Sequence, residues 1–579
     1  MARATRPFFT ANNGREPLYI YLTALAVGIW GRTAFALRMG AAVVGILTTL
    51  ATYKLAAEWF GQRVGLLTAW LWAVTLWPMH LGRIGLRVGL MVPLLATAAW
   101  LATLAYRRQQ NGLWMAAGAI YALAFYSYAA VRFTPALLVV LMAYLLWQKN
   151  WRPFWPGLAW AAVGFAIIIA PLALLTWQQP EMILGRVGQV SILHPDINGG
   201  DLWGTLARQI GSALGLFFWH GDEIIRHNPA GRPLFDPLMA IFFVWGVGWC
   251  LVHWRRPAAT AALLWTAVML GPTIFAEDTP HFLRVAGILP ATLMFPAIGL
   301  SHFAAWPKLA PLWRQGILVI LLLASLTLTV RDYFIVYARQ PDTGYLFEAA
   351  ARDLAERILA ESPETAVVLD ERFWSGWPSV RFLLHPAHPP TFFQPTLSPL
   401  DPPVVFYLWP HEAELLAAVP QLVRGPAIVS AELGSWARGD LEPTPYPLFV
   451  RYTAQPWSKN GHTPAAVYDD FYMLWAEPQL EVNGDVLRVK LHWTVATDGA
   501  AERPPLTVFV HLLDKQTGQL IAQSDAPPAG GFWPSPTWRP DLLVQDIHHL
   551  TLPEPYDSGR HQLVIGLYPS GQPENPLEE

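Results

Sequence analysis

Residues 220–236 read HGDEIIRHNPAGRPLFD and lie between two strongly apolar runs. Asp222 and Glu223 are the side-chain types that act as a general base, taking a proton from a hydroxyl that attacks as a nucleophile. Arg226, His227 and Arg232 follow within ten residues, and their types and spacing suit the capture of an anion such as a phosphate. NPAGRP closes the stretch as a turn.

Two other polar stretches carry related chemistry. TPHFLR places His281 and Arg284 at i and i+3, on one face of a helix start. GRIGLR supplies Arg83 and Arg87. Arg284 adds a further cation of the type that suits phosphate, and Asp222 with Glu223 are the candidate catalytic acids. For His227 or His281 the competing reading is a helix-capping or hydrogen-bonded histidine. No metal ligand set is assigned: HGDE and RHN hold ligand types without a recognised spacing, which admits a divalent metal but implies no cofactor. No phosphate-cradling glycine loop occurs.

Apolar segments must position these residues. Hydrophobic residues make up 54% of the 579-residue chain and charged residues 14%, the balance of a membrane protein. The net charge of −2 gives no case for nucleic acid, and one cysteine excludes an intrachain disulfide. Ten spans are predicted at 37–57, 62–80, 87–105, 113–129, 134–147, 157–177, 236–253, 260–276, 285–303 and 316–330. Residues 18–30 are expected to lie in the interface instead.

Lys and Arg accumulate on the cytoplasmic side of membrane proteins. Arg63, Arg107, Arg108, Lys149, Arg152, Arg255, Arg256, Lys308 and Arg314 fall in alternate loops, which places those inside. The loops 1–36, 178–235 and 277–284 are then outside, with Arg83, Arg87, Arg132, Arg186, Arg208, Arg226, Arg232 and Arg284. Taken singly, such arginines cap helices or pair with headgroups. As a set they suit a polyanionic substrate.

GREPLYIYLTALAVGIWGRTAFALRMGAAVVGILTTLATYKLAAEWFG, GRIGLRVGLMVPL, YSYAAVRFTP and TPHFLRVAGILPA together resemble glycosyltransferase family 39, over about residues 14–335. The resemblance implies a GT-C fold, a multi-span bundle with an outward-facing site and a soluble C-terminal part. It implies a sugar carried on a polyprenyl phosphate as donor and membrane lipids as surroundings. The acceptor would be a glycan, lipid or protein of the cell envelope, reached from a bacterial plasma membrane. Relatives normally begin with a further helix and an outer loop bearing Asp-Glu, and MARATRPFFTANNGREP shows neither. This leaves Glu16, Glu181, Asp196, Asp201, Asp222, Glu223, Asp236, Glu277 and Asp278 as the outer acids, and Asp222 as the substitute base. The alternative is a degenerate relative acting as a scaffold in envelope glycan assembly. A transporter fits less well, because nearly all charges fall in loops.

Beyond 331 the runs shorten and strand-like alternation begins. An extracytoplasmic α/β unit is expected over 332–440, with a helix in YLFEAAARDLAERILAE and strands in TAVVLD, VVFYLW and AIVSAEL. An extracytoplasmic β-sandwich is expected over 441–579, with DKQTGQ as a hairpin turn. GGFWPSPTW suggests sugar stacking on tryptophan, against the plainer expectation of buried structural tryptophans.

Overall fold

A computed structural model describes residues 7–9, 15–148, 154–180, 190–308, 310–385, 390–394, 396–439, 444–458, 463–552 and 556–579. Glu181, Arg186, Lys149 and Arg152 lie outside them. The chain divides into two compact units, Met1–Thr343 and Gly344–Glu579.

The first unit is helical. Its first eight α-helices are α1 (Leu18–Trp30), α2 (Ala34–Phe60), α3 (Gln62–Val74), α4 (Leu76–Leu81), α5 (Val88–Arg108), α6 (Asn111–Ala124), α7 (Thr134–Trp147) and α8 (Trp155–Gln178). Among the described residues seven segments are long and apolar enough to cross a membrane: Ala34–Phe60, Val88–Arg108, Ala129–Trp147, Trp155–Gln178, Pro257–Ile274, Phe282–Ala304 and Pro311–Arg339.

The other three expected spans are helical but shorter. Residues 62–80 break at Thr75, whose backbone is extended (φ −70°, ψ 135°). Pro78 lies three residues on, and its missing N–H removes the bond that a continuous helix would need there. α6 has 14 residues and Pro237–Val252 has 16. At 1.5 Å per residue these reach about 21 and 24 Å, short of a hydrocarbon core of roughly 30 Å. α1 has 13 residues and reaches about 20 Å.

Small residues let the helices touch. A Cβ on Gly246 would stand 1.9 Å from the Phe295 carbonyl oxygen, so Pro237–Val252 and Phe282–Ala304 meet backbone to backbone there. Phe282–Ala304 is the buried centre of the bundle, with Phe282, Val285, Leu289, Leu293 and Met294 fully enclosed.

The second unit is β-rich. Its strands are β1 (Ala366–Leu369), β2 (Thr391–Phe392), β3 (Val404–Leu408), β4 (Ala427–Leu433), β5 (Trp436–Ala437), β6 (Tyr446–Pro447), β7 (Val450–Pro456), β8 (Ala466–Tyr468), β9 (Tyr472–Leu474), β10 (Gln479–Asn483), β11 (Val486–Val495), β12 (Leu506–Asp514), β13 (Leu520–Ala526), β14 (Leu542–Thr551) and β15 (His561–Pro569). One sheet runs β2-β1-β3-β7-β4-β14-β11-β9-β8, with β10 pairing β11. A three-stranded sheet, β13-β12-β15, packs on it through Val508, Val510, Leu512 and Leu567 against Leu487, Val489, Leu491 and Trp493.

The sandwich is therefore present, but the boundary expected near 440 does not fall between separate sheets. β4 pairs in parallel with β14 and antiparallel with β7, so backbone hydrogen bonds join 332–440 to 441–579. The helix expected over YLFEAAARDLAERILAE is also interrupted. Glu348 takes a left-handed conformation (φ 53°), and the regular helix is Ala349–Ala360.

Candidate active site

The polar stretch of the first unit folds as a braced loop. A Cβ on Gly221 would stand 1.9 Å from the Arg232 carbonyl oxygen, so only glycine lets the two sides of the loop close there. Asn228 Nδ2 donates to the carbonyls of Asp222 (3.2 Å), Pro229 (2.7 Å) and Arg232 (2.8 Å) and ties the turn together.

Asp222 is 1% exposed. Its Oδ1 accepts from Ile224 N at 2.8 Å. Its Oδ2 accepts from Phe282 N at 2.7 Å and from His227 Nδ1 at 3.1 Å. Burial opposes ionisation, but the bonds from His227, Ile224 and Phe282 outweigh it and hold the carboxyl below its ordinary range. This is the environment of an anchoring carboxylate, at the residue expected to serve as the substitute base. Because a carboxylate only accepts, His227 carries a proton on Nδ1. The His227 and His281 rings lie 4.7 Å apart. His281 caps the short helix Phe282–Val285 by accepting from Arg284 N at 3.4 Å. Burial, with the charges of Arg284 and His227, pushes His281 down to about 3, so it is neutral near pH 7.

Glu223 has a different place. It is exposed, and its Oε1 lies 2.6 Å from His220 Nε2. Both line a cavity of about 750 Å³ bounded also by Gly215, Trp219, Asp222, Asp278 and Thr279. Among the described residues its acidic side chains number three, and no arginine lines it.

The arginines are distributed elsewhere. Arg83 lies over the rings of Tyr333 (5.6 Å) and Phe334 (5.0 Å). Tyr333 bonds His80 Nδ1 at 3.0 Å, and His80 Nε2 donates to the Arg226 carbonyl at 3.0 Å. The backbone of Arg226 and the side chain of Arg83 thus both meet the His80–Tyr333 pair. Arg232 is committed to Asp332 (2.8 Å), and Arg87 to the buried Glu16 and the Tyr128 ring. Arg284 donates to the Glu277 carbonyl and braces its loop. Of the seven residues expected to bind phosphate, the structure lays the Arg83 side chain on the Tyr333 and Phe334 rings and ties the backbone carbonyl of Arg226 to the same cluster through His80. It gives Arg87, Arg232 and Arg284 intramolecular partners.

Sequence reasoning missed the residues that hold this loop: His80, Asp332, Tyr333 and Tyr337. The Tyr337 hydroxyl donates to the Ile225 carbonyl at 2.6 Å. The RDYFIVYAR run at the end of the last span carried the signal, since acid and aromatics there had no apolar reason to recur.

Ligand atoms of Asp222, His227 and His281 lie within 4.8 Å of one another. Two histidines and a carboxylate are a donor set that takes zinc-like ions. Asp222 Oδ1 retains accepting capacity and His227 retains Nε2, so these three residues fit such an ion and would hold it behind the cavity wall. It would supply positive charge at the loop.

Fold and loop define a multi-pass membrane protein with a polar site at the helix ends. Residues 14–177 match the family model described as dolichyl-phosphate-mannose-protein mannosyltransferase, which is of the GT-C lipid-carrier glycosyltransferase type. No curated protein matches the chain. Among solved structures, ArnT from Cupriavidus metallidurans bound to undecaprenyl phosphate is 15% identical, with 76% of this chain and 87% of that chain covered and a TM-score of 0.43. The Archaeoglobus fulgidus oligosaccharyltransferase tethered with an acceptor peptide is 13% identical, with 99% and 90% covered and a TM-score of 0.39. These values assign no role to any residue.

Proposed function

We propose that this chain transfers a sugar from a polyprenyl-phosphate donor to a cell-envelope acceptor at the outer face of a bacterial plasma membrane. The observation that carries the reading is the two-sided loop. Asp222 and Glu223 border an acid-lined cavity, and a few residues on, the backbone at Arg226 is tied through His80 to Tyr333, on whose ring the Arg83 side chain lies. The family match over residues 14–177 supports the donor class.

In this reading the acceptor hydroxyl enters the cavity and Glu223 takes its proton as the oxygen attacks the anomeric carbon. The bond from that carbon to the phosphate oxygen breaks, and the polyprenyl phosphate departs against Arg83 and Arg226. Asp222 holds His227 and the loop in register. The helix Leu202–Gly215 exposes Trp203, Ile210 and Leu214 on one stripe, which continues to Phe218 and Trp219 at the cavity. Such a stripe seats in the lipid interface and offers a surface for the prenyl chain.

Membranes containing the protein should move label from a polyprenyl-phosphate sugar to envelope material. Glu223→Gln should slow this about 100-fold or more, the usual worth of a general base. Absence of transfer with every donor, or an unaffected Glu223→Gln, would overturn the reading. The scaffold alternative expects no transfer by the wild type.

A further inference from the structure

Several arginines of the helical unit have carboxylate partners: Arg87 and Arg132 share Glu16, Arg208 has Asp201 and Arg232 has Asp332. Arg38 and Arg83 differ. Both are exposed, and among the described residues neither has a carboxylate within ion-pair distance. Arg38 is absent from the cations expected at the loops because it lies within the apolar run of α2.

Backbone packing brings the two arginines together. A Cβ on Gly45 would stand 3.2 Å from the Gly82 Cα, and one on Gly85 would stand 3.5 Å from the Leu37 carbonyl oxygen. The turn 82–85 therefore lies against the first turns of α2. Gly85 completes it in a left-handed conformation (φ 68°) that glycine adopts without strain. Arg38 precedes Gly45 by two helical turns and shares the face on which the Arg83 turn lies. Both arginines meet at Tyr333, which the 3.0 Å bond to His80 Nδ1 holds in place. Arg83 lies over its ring at 5.6 Å, and the charges of Arg83 and Arg38 both act on its hydroxyl.

Like charges gathered at one ring repel each other unless an anion joins them. The N-terminal end of α2 adds further positive potential. The guanidinium fork matches phosphate oxygens, and the rings of Tyr333 and Phe334 give Arg83 a surface to lie on. Phe35, one turn before Arg38, and Phe334 are exposed beside this charge, so the phosphate that suits the patch is one carried on a lipid. Resting on the transfer reading above, we propose that Arg38 is a donor-binding residue that grips, together with Arg83, the phosphate of the polyprenyl donor.

A bilayer phospholipid offers the same phosphate chemistry, so the test has two arms. Native mass spectrometry of the full-length protein in detergent is run with a synthetic polyprenyl phosphate and, separately, with phosphatidylglycerol. The wild type should prefer the polyprenyl phosphate. Arg38→Ala and Arg83→Ala should each weaken it about tenfold, as the loss of one charge-assisted bond would. Arg38→Lys, which keeps the charge without the fork, should lose less than Arg38→Ala. Glu223→Gln and Arg488→Ala, the latter in β11, should bind as the wild type does. Wild-type affinity in Arg38→Ala, equal losses in Arg38→Lys and Arg38→Ala, or a preference for phosphatidylglycerol would overturn the proposal. Binding is read without transfer. A protein that binds through both arginines but transfers nothing would overturn the transfer reading alone, and one that transfers but binds equally well without Arg38 would overturn this inference alone.

Discussion

Asp222 shows how burial separates a carboxylate's role from its type. Three donors converge on it, so Asp222→Ala strands Phe282 N and the His227 ring together. That loss should cost about 3 kcal/mol of stability in the helical unit, read as a lowered Tm. Glu223, exposed in the same cavity, should show no comparable Tm change on mutation to Gln. His281 makes a second residue-scale prediction. Its folded value of about 3 lies below the ordinary 6.5, so between those values the unfolded chain binds the proton and the folded one does not. Stability from this group is complete above about pH 6.5 and falls as pH drops toward 3. His281→Asn keeps an acceptor for the helix cap and cannot titrate there. Its Tm should fall less than the wild type's between pH 7 and 4.5, and an identical slope would contradict the assignment.

At the scale of elements, the loop is positioned by distant segments of the chain. The end of the last span contributes Asp332, Tyr333 and Tyr337, and α4 contributes His80. Gly221→Ala forces a Cβ into the Arg232 carbonyl and should abolish transfer, while Gly211→Ala, which meets nothing within 4 Å, should not. Equal activity of the two variants would refute the loop's role. The loop, its acids and the His281–Arg284 helix start were legible in the sequence because local polarity in an apolar chain marks them. The partners that occupy Arg87, Arg232 and Arg284 were not, since each joins segments between 7 and 100 residues apart. The amphipathic helix Leu202–Gly215 was also missed. Its stripe has helical period, but the turn-rich residues before it read as a continuous loop.

At the scale of the whole molecule, hydropathy marked the membrane half and put its end at 331. The unit boundary falls at Thr343, since helix continues from Val330 to Arg339. Span number was less legible because apolar runs such as α6 read as spans although the helix is short. The β-rich half read as two domains because its strands recur in two clusters, while the pairing of β4 with β14 across more than a hundred residues leaves no local pattern. The positive-inside assignment predicts that a cysteine at Gln110 resists impermeant labelling in intact cells while one at Ala230 reacts; the reverse would invert the proposed topology.

The central claim is that one loop joins a base in an acidic cavity to a phosphate patch. Steady-state transfer kinetics on purified protein test it most directly. The account predicts that Arg226→Ala and Arg83→Ala raise the donor KM, while Glu223→Gln lowers kcat and leaves donor binding intact. If donor KM followed Glu223, or if neither arginine affected it, the account would be contradicted.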